Sequence, residues 1–252
     1  MSLDSLALLP AAFLAGLINS VAGGGTLVSF PALVWIGRDP IVANVTSTLG
    51  LWPASLGAMA GFRRELTESR RWLRVLLPPS FAGGAVGAVL LLHTPSHTFA
   101  AIVPYLILFA TALFAAGERI GRHFPAPPDA EGLRAGSWWA TVGFQFFVAV
   151  YGGYFGAGIG ILMLAALSLL GLKDLHQMNG IKNTLAVLIN GIAAIYFSLS
   201  GRVVWSDAFV IALAASAGGY GGAGLARTLG QVFVRRAVVG IGIAMALSLM
   251  WR

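Results

Sequence analysis

Leu185–Leu199 reads LAVLINGIAAIYFSL, a run without one charged side chain, and it decides which solvent the fold meets. Runs of the same kind recur at Ala100 to Gly117, Ala135 to Val150 and Ala237 to Trp251. A helix rises about 1.5 Å per residue, so about 20 residues cross the roughly 30 Å of a bilayer's hydrocarbon. Backbone groups in lipid must find partners locally, and these runs lack the alternation of a barrel strand, so helices are expected. Composition agrees: 58% of the 252 residues are hydrophobic, 10% are charged, and mean hydropathy is +0.84. No water-soluble core of this size hides so much apolar surface.

The apolar segments run near Leu6–Ala22, Thr26–Ile36, Pro40–Phe62, Val75–Leu92, His97–Ala116, Ala135–Tyr154, Ile159–Gly171, Leu175–Leu199, Ser206–Ala226 and Gln231–Trp251. A linker at 119–134, with Pro125, Pro127 and Pro128, separates a first half, 1–118, from a second, 135–252. The halves match at one ungapped shift of 135 residues. It carries Gly23 onto Gly158, Gly25 onto Gly160, Asp39 onto Asp174 and Asn44 onto Asn179. The same shift carries Gly83, Gly84 and Gly87 onto Gly218, Gly219 and Gly222. An internal repeat is therefore expected.

Each half opens with two short apolar segments interrupted at a glycine cluster, AGGG at 22–25 and GAG at 156–158, and continues with three full spans. Charge chooses between topologies. If the interrupted segments cross the membrane, the basic residues outside the membrane divide ten inside to five outside. If they fold back as re-entrant hairpins, the division becomes twelve to three with Lys182 left at membrane depth, which fits the positive-inside rule better. Three crossings per half make the two repeats antiparallel. The expected fold is thus an all-α polytopic membrane protein of two inverted repeats, each an interrupted or re-entrant helix pair plus three full transmembrane helices.

The formal charge of +7 sits mostly in short loops between spans, which argues against nucleic acid. The basic stretch from Arg63 to Arg74 reads as a cytoplasmic loop on anionic headgroups. Without cysteine, disulfides and thiolate metal sites are excluded. Met1–Pro10 carries Asp4 and no Lys or Arg, so it lacks the basic start of a cleavable signal peptide. No intramembrane acid pair, Ser/His pair at helical spacing or phosphate loop speaks for an enzyme.

Irregular backbone at membrane depth survives only beside protein or a wet cavity. Helices restart after the breaks at Thr26 and Ile159, turning free N–H groups and the positive ends of their dipoles toward an anion. Gly23, Gly24, Gly25, Gly156, Gly158 and Gly160 let backbone approach a ligand, or they serve close helix packing, the reading that fits Gly83 and its neighbours better. NVTST at 44–48 and NGIKNT at 179–184 place polar groups at equivalent positions. Lys182 is the one basic residue expected at membrane depth, where a charge marks function unless it snorkels to the surface. The candidate substrate-binding residues are Asn19, Gly24, Gly25, Thr26, Asn44, Thr48, Tyr154, Gly158, Lys182 and Asn183. Thr and Asn could equally serve as interhelical glue. Asp39 and Asp174 read as helix N-caps. No carboxylate is expected deep inside a span, and the four histidines lack metal-ligand spacing, with His176 alone near the site. No metal, catalytic residue or cofactor is expected.

FLAGLINSVAGGGTLVSFPAL at 13–33 resembles the opening motif of the TauE/SafE sulfite-exporter family. YGGYFGAG at 151–158 resembles its second copy, and Lys182-Asn183 with Gly201-Arg202-Val203 fit its later pattern. The resemblance covers nearly the whole chain. It implies a multi-pass protein that moves small sulfur-containing anions such as sulfite, sulfonates or sulfoacetate across the bacterial inner membrane; the inverted repeats add the expectation of alternating access. Its implied partners are that anion and the lipid bilayer, with no nucleic acid and with a homodimer left open. A gated anion channel, or an exporter of another small organic anion or an amino acid, stays open beside it.

Overall fold

The computed structural model describes residues 3–60, 69–123, 135–169, 172, 174–229 and 231–251. Residues 63–68 of the basic loop, 124–134 of the linker and Lys173 lie outside the described residues. The described chain forms ten α-helices and no strand: α1 Leu3–Ala22, α2 Thr26–Trp35, α3 Pro40–Ala60, α4 Arg70–His93, α5 Ser96–His123, α6 Ala135–Tyr154, α7 Ile159–Leu169, α8 Leu175–Ser198, α9 Trp205–Leu229 and α10 Gln231–Met250. Among the described residues, Arg70–His93, Ser96–Leu113 and His176–Ser198 are long and apolar enough to cross a membrane. Four shorter apolar stretches lie in α1, α2, α7 and α10.

Helix starts follow local chemistry. Asp39 Oδ1 accepts from the backbone N–H of Ile41 at 2.9 Å, and Pro40 fills the first helical position of α3, where a missing N–H costs nothing. Asp174 Oδ1 likewise accepts from His176 N at 2.9 Å and caps α8. The two aspartates are therefore N-caps, as their positions suggested.

At each glycine cluster the chain turns back. Gly23, Gly156 and Gly158 adopt φ of +71°, +78° and +73°, left-handed backbone that a Cβ would strain. A Cβ on Gly25, at the start of α2, would lie 2.6 Å from Ala15 O and 2.9 Å from Asn19 Cβ. Ten residues of continuous helix would hold those positions about 15 Å apart, so α2 returns along α1 instead of extending it. In the second half Val148 and Ala149 of α6 share a core with Ile159, Met163 and Leu167 of α7.

The most extensive helix pairs join the two halves: α1 packs on α9, and α4 on α6. Next come α3 on α9 and α4 on α8, with α5 against α10 and α3 against α8. Glycine allows the closest of these approaches. Gly83 rests on Phe146 and Ala149, Gly87 on Val150 and Gly153, Gly218 on Phe13, and Gly84 on Ile189. These glycines serve packing, and the surroundings of Gly222 fall outside the described side chains. Where α3 crosses α8, Trp52 Nε1 donates to Val187 O at 3.1 Å while its indole covers Gly191.

Polarity is turned inward. Tyr220 is 92% exposed and Phe147 70%, whereas Asn44, Thr46, Ser47, Gln145 and Lys182 are buried. That inversion is what lipid as solvent demands. Asp207 is also fully buried, in the first turn of α9, because Arg38 reaches it from the α2–α3 loop with Nε 2.8 Å from Oδ2.

Candidate functional site

The two glycine breaks meet. A Cβ on Gly23 would lie 3.6 Å from Gly160 Cα, which puts the first turn out of α1 directly against the first turn of α7. A cavity of about 40 Å³ opens beside this junction. On a scale where about 10–15 Å³ holds one water, it accommodates a small ion and little more. Its walls come from five places: Asn19 and Gly23 on and after α1, Thr26 on α2, one face of α3, Gly156, Ile159 and Gly160 at the second break and the start of α7, and one face of α8.

The faces of α3 and α8 correspond under the 135-residue shift. Thr48, Leu51 and Ser55 line one wall; Asn183, Ala186 and Asn190 line the other. Spacings of three and four residues keep each trio on one side of its helix. Asn19 Nδ2 donates to Ser55 Oγ at 3.2 Å, and the Thr48 hydroxyl donates to Asn44 O at 2.9 Å. Among the described residues Asn183 and Asn190 have no side-chain hydrogen bond, so both amides remain open to a ligand.

Lys182 does not snorkel to the surface. It is 5% exposed, and its Nζ donates to Asn179 Oδ1 at 2.9 Å, one turn earlier on α8. An ammonium has three donors, so two remain for the cavity it lines. Among the described residues no other charged side chain lines that cavity.

Of the sequence-predicted residues, Asn19, Thr26, Thr48, Lys182 and Asn183 lie in the cavity wall. The other five stand behind it. Gly24 and Gly25 shape the start of α2, where their carbonyls accept from Leu27 and Val28. Gly158 packs toward Ala110 of α5. Asn44 donates from Nδ2 to Tyr154 O at 2.9 Å, tying α3 of the first half to the end of α6 at the second break. Its Oδ1 is buried with no partner among the described residues. The Tyr154 side chain points elsewhere, its hydroxyl 3.3 Å from Thr94 Oγ1 and its ring edge-on to Phe99. His176 is exposed and does not line the cavity.

Ser55 and Asn190 were not anticipated, and Gly23, Gly156 and Gly160, read as backbone able to approach a ligand, were left out of the ten candidate residues. A signal existed for Ser55 and Asn190: extending the 135-residue shift about two further helical turns along α3 and α8, beyond Thr48 and Asn183, pairs them.

The family model described as "Sulfite exporter TauE/SafE" matches residues 8–249. The chain belongs to that family. Among curated proteins, a "Probable membrane transporter protein" of Haemophilus influenzae is 28% identical over 255 residues, covering 100% of this chain and 96% of the relative. The "Probable membrane transporter protein YfcA" of Escherichia coli K12 is 27% identical over 241 residues, 95% of this chain and 87% of the relative. The "Probable membrane transporter protein ORF9" of a Sinorhizobium species is 28% identical over 245 residues, 95% and 90% respectively. No solved structure matches the chain. Membership in TauE/SafE makes the chain a membrane transporter with a small-molecule substrate, and its apolar helices fit that role.

Proposed function

We propose that this protein carries a small sulfur-containing oxyanion, sulfite or a short sulfonate, across the bacterial inner membrane, binding it in the cavity between the glycine breaks. The observation that carries the reading is Lys182, a buried ammonium in a cavity otherwise walled by amides, hydroxyls and the first turns of α2 and α7. An ammonium and free amides suit tetrahedral or pyramidal oxygens, and helix N-termini add positive potential. Asn44 acts at one remove by fixing the second break.

Transport proceeds by alternating access between two inverted repeats. The helix pairing supports this: exchanging the halves turns α1 on α9 into α6 on α4, and α3 on α9 into α8 on α4. The crossing of α3 and α8 then lies on the pseudo-twofold axis, where transporters built from inverted repeats hold their substrate.

Reconstituted into proteoliposomes, the protein takes up labelled sulfite or a short sulfonate and not a neutral amino acid. Lys182→Ala, inserted normally, loses at least about tenfold of that flux, since a charge-assisted hydrogen bond contributes roughly 1.5–3 kcal/mol. Amino-acid uptake, or full anion flux in Lys182→Ala, would sink the assignment.

A further inference from the structure

The cavity's charge is unusually simple. Lys182 supplies one positive charge, and among the described residues none that lines the cavity is acidic. The remaining polar walls are Asn19, Thr26, Thr48, Ser55, Asn183 and Asn190. Amides and hydroxyls satisfy the oxygen atoms of a ligand but do not alter the net charge of the complex. Asp207, the other buried charged side chain among the described residues, already has Arg38 at 2.8 Å.

The space is also tight. The cavity measures about 40 Å³, and Lys182 in its wall is buried, so the solvent that would screen a charge left uncompensated there is scarce. Uncompensated charge in a desolvated site is expensive. Empty, the site holds one positive charge. A monoanion brings it to zero; a dianion leaves one net negative charge, faced only by the partial positive ends of α2 and α7.

Resting on the reading of this cavity as the anion site, we infer that the protein selects its cargo by charge, admitting monoanions and rejecting dianions of the same size. A second consequence follows from the same balance. The loaded site crosses the membrane interior neutral, while the empty site would carry through it an ammonium held only by the neutral Asn179 amide among the described residues. The return step is therefore fast only with another monoanion aboard, and the protein works as a one-for-one exchanger.

Dimethyl sulfone, methanesulfonate and sulfate test this, because each is a compact four-substituent sulfur centre and they differ in charge by single units. The full chain is reconstituted, and uptake of labelled methanesulfonate is followed with each compound as competitor outside or as counter-substrate inside. Methanesulfonate inside accelerates uptake at least about tenfold, and sulfate competes at least about 100-fold more weakly than methanesulfonate. An imposed membrane potential leaves the exchange rate unchanged. Lys182→Gln, which removes the balancing charge, moves the competition at least about tenfold toward dimethyl sulfone. Sulfate competing as well as methanesulfonate overturns the charge rule and leaves anion transport standing. Uptake indifferent to counter-substrate overturns the exchanger. Failure of every sulfur anion to bind or move overturns the anion site itself, and the inference with it.

Discussion

Gly87→Ala puts the helix packing around the second break to a quantitative test. A Cβ there would collide with the carbonyl oxygen of Val150 and lie 2.8 Å from Tyr154 N and 3.0 Å from the Gly153 carbonyl carbon. All three are backbone atoms of α6, so no side chain can swing aside, and α4 and α6 must part by on the order of 1 Å. Overpacking of this kind costs about 1–3 kcal/mol. Helix propensity works the other way, favouring Ala over Gly by about 1 kcal/mol, which leaves a net loss of up to about 2 kcal/mol. In a chain of this length 1 kcal/mol moves Tm by roughly 2–4 °C, so the unfolding midpoint in detergent falls by up to about 8 °C. Gly143→Ala is the control. It lies on α6, the helix that Gly87 faces, with nothing within 4 Å of the added methyl, so propensity acts alone and the midpoint rises by about 2–4 °C. Opposite signs for the two shifts are the expected result. If Gly87→Ala stabilises as much as Gly143→Ala does, the close approach of α4 to α6 is wrong.

Other perturbations probe the site and its supports. Asn44→Leu removes the donor to Tyr154 O and leaves that carbonyl unsatisfied, costing about 1–3 kcal/mol; thermal unfolding reads the loss, and flux falls with it because the second break loses its tie to α3. Gly23→Ala forces a Cβ into left-handed backbone 3.6 Å from Gly160 Cα, at about 1–2 kcal/mol of strain. Its anion flux drops by more than its Tm suggests, and retention of full flux would detach Gly23 from the transport path. Arg38→Gln and Asp207→Asn, measured singly and together, yield a coupling energy of about 0.5–3 kcal/mol. Strictly additive effects would deny the ion pair any role in stability.

Membrane helices, their breaks and the buried lysine are legible in the sequence because each is a local violation: too apolar, too glycine-rich, or charged where charge is costly. Which glycine of a cluster faces the cavity is not local information. Gly24, Gly25 and Gly158 stand behind the wall while Gly23, Gly156 and Gly160 form it, because the rotation of each break is set by packing against Ala15 and Ala110, residues of other helical segments. Tyr154 illustrates the same limit. The repeat shift pairs it with Asn19, but Thr94 and Phe99 hold its side chain away from the cavity, and its backbone carbonyl is the atom that matters. The buried state of Asp207 was hidden for a related reason: its partner Arg38 is 169 residues away in the chain.

The pairing of α1 with α9 also has a cost in time. A ribosome adds roughly 5–20 residues per second, so α1 enters the membrane about 10–40 s before the helix it packs on most extensively has been made. Gly16 and Phe13 find Ala215 and Gly218 only after the second half has been synthesised. During that interval the first hairpin lacks the surface that fixes it, and the insertion machinery or lipid must shelter its polar turn. Biogenesis of this protein is consequently a late, all-at-once closure in which the last helices complete the first.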